Sequence, residues 1–154
     1  MYLLRIAVAA LILTSFGCSM MTASAQPLTA LDVVKRLRDQ GVPITEALEF
    51  TAETDPNHLL GRPGGYTSKT TFRDGRLKTW IEGKYSIEDG GSVEVYPTAS
   101  AAKGRRDLLA GISEKAPIIG EYTYLRGTVV LRVSRILTPA QAAEYEAALA
   151  AMPL

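Results

Sequence analysis

The chain has one histidine, one cysteine and one tryptophan in 154 residues, and its Lys and Arg nearly match its Asp and Glu, 17 against 16. Each scarcity removes a class of function. With His58 and Cys18 standing alone, a zinc site would need an unusual all-carboxylate set, and no metal or other cofactor is expected. A near-neutral chain has no general attraction for nucleic acid or anionic lipid, so nucleic-acid binding is not expected. No Gly-x-Ser-x-Gly elbow occurs, and the glycines between 61 and 65 run into a β-like stretch instead of a helix, so they form no phosphate cradle. Two acid pairs, Glu46 with Glu49 and Glu144 with Glu146, fit solvated faces of a strand and a helix better than a glycosidase pair.

Long apolar runs are missing too, with one exception. Residues 6–16 are apolar behind the lone base Arg5, a stretch too short to cross a bilayer comfortably and shaped like an export signal. Two processing readings compete. Ala23-Ser24-Ala25 before Gln26 fits ordinary signal cleavage, giving a signal peptide over 1–25 and a single domain over 26–154. Gly17-Cys18 resembles the end of a lipobox, which would lipidate Cys18 and hold the protein at the membrane. Ser15, where such signals favour leucine, and the bulky Phe16 depart from that pattern. Cleavage after Ala25 is the first expectation, with a retained anchor as the remaining alternative. That cut would remove Arg5 alone among the charges, leaving bases and acids equal, and would leave no cysteine for a disulfide. The domain must then hold together through its core, which its length permits.

The rest of the chain reads as alternating helix and strand signals. Thr29 caps a helix over residues 30–40 with a Leu31, Val34, Leu37 stripe, closed by Gly41 and Pro43. Residues 44–52 suit either a strand, with Ile44, Leu48 and Phe50 on one face, or a helical turn. Residues 66–73 read as a strand, and Asp74-Gly75 as a hairpin turn pairing Phe72 with Leu77 and Thr70 with Thr79. A further strand is expected at 85–87, a turn at 88–91, and a strand at 92–96 with Val93 and Val95 inward and Glu94 outward. Thr98 caps a helix to about Ser113, its buried stripe being Ala101, Ala102, Leu108, Leu109 and Ile112; Gly104 interrupts it at a cost of about 1 kcal/mol. A last hairpin turns at Arg126-Gly127, opposing Tyr124 to Val129 and Tyr122 to Leu131. Thr138-Pro139-Ala140-Gln141 then opens an alanine-rich helix. Hairpins without repeated βαβ units define the expected class: α+β, an antiparallel sheet of five to seven strands with helices packed on one face.

Residues 55–69 form the longest turn-rich stretch outside the leader and carry the lone histidine. Pro56 forbids a helix, Pro63-Gly64-Gly65 turns the chain, and Asp55, His58, Arg62, Tyr66 and Lys69 are the candidate binding residues. A plain connector packed by Leu59 and Leu60 is the competing reading. This stretch, with Asp-Gly-Gly-Ser-Val-Glu-Val-Tyr at 89–96 and Leu-Thr-Pro-Ala-Gln-Ala-Ala-Glu-Tyr at 137–145, resembles small exported actinobacterial proteins described as hypothetical proteins or lipoproteins. The resemblance covers nearly all of the exported part. It implies a strand at 44–52 and an extracytoplasmic place, secreted or lipid-anchored, and it implies no catalytic residue. The expected function is a cell-envelope or secreted binding module with no catalytic site, contacting an unidentified envelope or extracellular protein or ligand. Two alternatives stand beside it. One is an extracytoplasmic hydrolase using His58, oriented by Asp55, with Thr67 or Ser68 as nucleophile. The other is a surface lipoprotein with a phage-exclusion or similar defence role.

Overall fold

The computed structural model describes residues 26–78 and 81–153. The expected leader, both cleavage sites, Cys18 and the expected pairing of Thr70 with Thr79 lie outside them. In chain order the elements are α1 (Ala30–Asp39), β1 (Ile44–Glu49), β2 (Ser68–Asp74), β3 (Gly90–Val95), α2 (Ala99–Lys115), β4 (Glu121–Arg126), β5 (Val129–Ser134) and α3 (Pro139–Ala151). Two short 3₁₀ turns, Ile87–Asp89 and Pro117–Ile119, precede β3 and β4. The strands form one open antiparallel sheet in the order β1-β2-β3-β5-β4. The class is therefore α+β, with five strands.

Local chemistry explains where the helices begin. Thr29 and Asp32 cap each other reciprocally at the start of α1, and Thr138 and Gln141 do the same at α3, where Pro139 occupies the first turn. Thr98 accepts from the Ala101 N–H to open α2. Gly41, at φ +89°, ends the first helix as only a residue without Cβ does readily.

Alternation along the strands sorts their side chains onto two faces. Phe72, Val93, Leu131 and Val133 point to one face and are fully buried there beneath α1 and α3. Tyr145 of α3 stacks on Phe72 with ring centroids 5.5 Å apart. Removing each such side chain from water contributes about 1.5–3 kcal/mol. The expectation of helices on one face holds for α1 and α3. It does not hold for α2: Ala102 and Leu109 bury against Val130 and Tyr96 on the opposite face.

Several expected local features are corrected. Asp74-Gly75 makes no hairpin, because β2 already has β1 on one side and β3 on the other. The Asp74 carboxylate instead accepts from the Arg76 backbone at 2.8 Å and from the Tyr145 hydroxyl at 2.8 Å. Arg73 then draws the following segment across the second face, donating to the carbonyls of Ile81 and Lys84 at 3.1 Å. Residues 85–87 accordingly form no strand. The expected turn at 88–91 is a 3₁₀ turn leading straight into β3. Gly91 lies within that strand because a Cβ there would meet the Phe72 ring at 2.5 Å and the Arg132 carbonyl oxygen at 2.3 Å.

Residues 44–49 do form a strand, but a bulge between Ile44 and Glu46 reverses its facing. Ala47 packs on the core while Leu48 is 39 % exposed. In α2, Leu108 and Ile112 are 56 % and 43 % exposed, so the buried stripe narrows to Ala102 and Leu109. The last hairpin turns at Gly127-Thr128, one residue later than expected, so Tyr124 opposes Leu131 and Tyr122 opposes Val133. That shift is two residues in register, so each side chain keeps its face.

Candidate functional site

The face turned away from α1 and α3 carries Lys69, Thr71 and Arg73 of β2, Ser92 and Glu94 of β3, and Arg132 and Ser134 of β5. A sheet face of this composition ordinarily meets water. Here all but Arg132 are buried, and two carboxylates organise the cover.

The first is Asp55. Pro56 bars a helix through this point, and the loop that follows wraps back onto the Asp55 side chain. Its oxygens accept from the backbone N–H of Asn57 at 3.2 Å, Leu59 at 2.8 Å and Leu60 at 3.1 Å. They also accept from the Tyr66 hydroxyl at 2.7 Å and the Lys69 ammonium at 2.8 Å. Gly65 closes the loop so tightly that a Cβ would lie 1.9 Å from the Leu59 carbonyl oxygen. Burial opposes ionisation of Asp55, but Lys69, Tyr66 and the backbone amides outweigh it and hold its pKa well below the carboxylate range. Burial together with the Asp55 bond pushes the Tyr66 hydroxyl in the other direction, well above the phenol range.

The second is Glu94, which the alternation pattern places outward but which has no exposed surface. Arg105 of α2 grips it from above at 3.0 and 3.2 Å. Arg132 reaches it from β5 at 2.9 Å and the Tyr96 hydroxyl at 3.0 Å. Arg132 in turn holds Glu121 of β4 through two bonds at 2.6 and 2.8 Å. Burial again disfavours the charge, and the two guanidinium groups outweigh it, so the pKa of Glu94 is lowered. The Tyr66 and Tyr96 rings meet edge to face at 5.8 Å and join the two clusters.

The five candidates from the sequence thus separate. Asp55, Tyr66 and Lys69 come together, but inside, where they build the loop. His58 and Arg62 are exposed, and neither side chain makes a hydrogen bond or ion pair among the described residues. His58 adopts φ +52° at the loop's outer turn, and its backbone N–H donates to the Asp55 carbonyl at 3.0 Å. The Asp55 carboxylate receives nothing from the imidazole. The Thr67 hydroxyl donates to the Val95 carbonyl, and Ser68 Oγ accepts from the Ala30 N–H. Glu94, Arg105 and Arg132 were missed. The signal that could have found them was on their own face: Tyr96 and Val130 are apolar where a solvent-exposed sheet would have polar groups.

The cover is incomplete. A groove runs over this face beside residues 85–88, formed by two cavities of about 410 and 250 Å³ that share Ser86, Ile87 and Arg132. Its narrow end is bordered by Phe50, Asn57 and Lys69, so the Asp55 loop makes one wall. Its wide end is rimmed by Ile118, Ile119 and Ile136, which are 98 %, 74 % and 51 % exposed. Arg135 lies at the same end with its guanidinium 4.9 Å from the centre of the Tyr122 ring. Among the described residues no group of three or more His, Cys, Asp or Glu is placed to hold a metal ion, and no helix is long and apolar enough to cross a membrane.

No family model, curated protein or solved structure matches the chain.

Proposed function

We propose that this protein is an exported binding module, secreted or held at the cell membrane through a lipid on Cys18, and of the same kind as the small actinobacterial proteins its sequence resembles. It acts by contact and not by catalysis, and nucleic acid is not its partner. The observation that carries this reading is the groove on the second sheet face. Three large apolar side chains stand in water around a cavity floored by Arg132, which is paired with Glu94 and Glu121. Exposed isoleucines clustered at one cavity mark a contact surface, since scattered ones would need no such site. The paired floor supports preorganisation: side chains already fixed by Asp55 and Glu94 lose little freedom when a partner arrives. The contact therefore centres on Ile118, Ile119 and Ile136, with Asn57 and the loop as a second wall.

The test is crosslinked recovery of a partner from the cell envelope. Ile118→Asp combined with Ile119→Asp is expected to abolish recovery while leaving the thermal midpoint unchanged, because both side chains already face water. His58→Ala with Arg62→Ala is expected to weaken it less. If recovery survives the isoleucine changes and fails with the loop changes, the contact lies on the outer loop and not in the groove. Retained recovery in the variant that combines all four changes removes this whole face.

A further inference from the structure

Among the described residues β1 is an edge of the sheet, paired with β2 on one side and with no strand on the other. Just past its end the Phe50 N–H donates to the Lys69 carbonyl at 3.0 Å. In an antiparallel ladder every second residue bonds to the partner strand. By that alternation Glu46 and Leu48 also face β2, whereas the backbone N–H and C=O of Ala47 and Glu49 point out from the edge. Folded proteins commonly protect such an edge with a bulge, a proline or a covering segment. The bulge here lies only at the start of the strand, between Ile44 and Glu46. Alongside the strand there is room: a cavity of about 370 Å³ between α1 and Tyr85, with Leu31, Lys35 and Arg38 on the helix side and Ala47 on the strand.

The charge in that cavity has one free sign. Lys35 is exposed and makes no ion pair among the described residues. Arg38 donates through Nε to the Ile44 carbonyl at 3.0 Å, and its two terminal nitrogens bond to no described residue. The cavity's carboxylate, Glu46, is already engaged by Arg73 at 2.6 Å and by the Tyr85 hydroxyl at 3.0 Å. We propose that β1 accepts an extended acidic peptide as an added strand. Its backbone bonds to Ala47 and Glu49, an apolar side chain lies against Leu31, and a carboxylate meets Lys35 and Arg38. Main-chain bonds supply attachment in this mode and the side pockets supply selection. A second copy of the chain fits worse. Antiparallel pairing of two β1 strands puts both α1 helices on the same side, setting Lys35 and Arg38 against their own counterparts. This surface is separate from the groove of the proposed function, although Tyr85 borders both, and neither reading depends on the other.

The experiment is fluorescence anisotropy of the purified full chain with a labelled, capped twelve-residue peptide of the repeat Thr-Val-Thr-Glu. Valine and glutamate then share the side that faces α1. The acidic peptide is expected to bind at least about tenfold more tightly than the same peptide with lysine for glutamate, a difference of about 1.4 kcal/mol. Lys35→Glu is expected to reverse that preference. Ala47→Pro, which removes an outward N–H on an edge strand, is expected to abolish binding. N-methylation of the peptide's valine and glutamate amides is expected to do the same without altering the protein, so the test stands even if the proline variant does not fold. Bound peptide should also slow hydrogen exchange at the Ala47 and Glu49 amides. Equal affinity for the two charged peptides, or binding indifferent to N-methylation, overturns the proposal. So does a dimer that forms through β1 in the absence of peptide.

Discussion

Val93 and Glu94 are neighbours on β3, both have no exposed surface, and they are buried for different reasons. Val93 faces α1 and α3, where the requirement is volume: an apolar side chain of the right size gains from leaving water and needs no particular partner. Glu94 faces α2, where its burial is tolerated only because Arg105, Arg132 and Tyr96 replace the water it gives up. The same holds for Asp55, whose side chain gathers three backbone amides, a hydroxyl and an ammonium. One sheet thus has a dry face that depends on shape and a wet face that depends on complete hydrogen bonding. The dry face should tolerate volume-conserving exchanges. The wet face should not tolerate the loss of any one partner.

The sharpest way to break that comparison sets Phe72→Ala against Glu94→Gln. At neutral pH each is expected to lose about 3–5 kcal/mol, the first by leaving a cavity and the second by leaving Arg105 without its carboxylate and Arg132 with Glu121 alone. Their pH dependence separates them. Glu94, Asp55 and Asp74 all have pKa values below the ordinary ones in the folded protein. A depressed carboxylate contributes stability that is present above its unfolded pKa, near 4, and is lost as pH falls through the folded value. Acid therefore weakens the wild type and Phe72→Ala together, while the deficit of Glu94→Gln shrinks. Urea midpoints measured from pH 7 to pH 3 check this, and a constant deficit for Glu94→Gln would refute the wet-face account.

Asp55→Asn comes next, at about 3 kcal/mol, because Lys69 is left buried without its counter-charge. Hydrogen exchange would read the loss locally, as faster exchange at the Leu59 and Leu60 amides. Smaller again is Gly91→Ala, expected to cost about 1–3 kcal/mol by forcing the Phe72 ring and the β5 backbone to move. Its thermal midpoint should fall while that of Gly104→Ala rises by the equivalent of about 0.5–1 kcal/mol, since nothing lies near the added methyl in α2. The smallest effects also include Thr70→Val. The Thr70 hydroxyl is buried on the dry face with no hydrogen-bond partner among the described residues, so the isosteric change should stabilise by about 1 kcal/mol in calorimetry. A loss there would mean that the dry face holds a polar contact after all.

Most of the fold was legible because its signals are local. Thr29, Thr98 and Thr138 each cap the helix their neighbours predict, and the Thr138-Pro139-Ala140-Gln141 box is observed atom for atom. The Tyr122, Tyr124, Leu131, Val133 alternation kept its facing even though the turn was misplaced. What failed were features decided by distant residues. Asp74-Gly75 has the residues of a hairpin, yet both edges of β2 were taken by β1 and β3. Gly90 and Gly91 looked like a turn, yet the β2 backbone beside Gly90 and the Phe72 ring beside Gly91 require the space. Of the candidate site, the loop character of residues 55–67 was legible, from the proline, the glycines and the clustered polar groups. Its organisation was not: Asp55, Tyr66 and Lys69 looked like contact groups because nothing in their spacing reveals that one carboxylate gathers the others.

By itself the amino-acid order determined helix starts, strand alternation and the α+β class, because capping, periodicity and turn preference act over a few residues. Tertiary structure alone decided which polar side chains lie inside. A buried carboxylate is stable only when donors from separate elements converge on it, and that convergence of Arg105 from α2 and Arg132 from β5 on Glu94 exists only once the sheet has formed and α2 has packed across it.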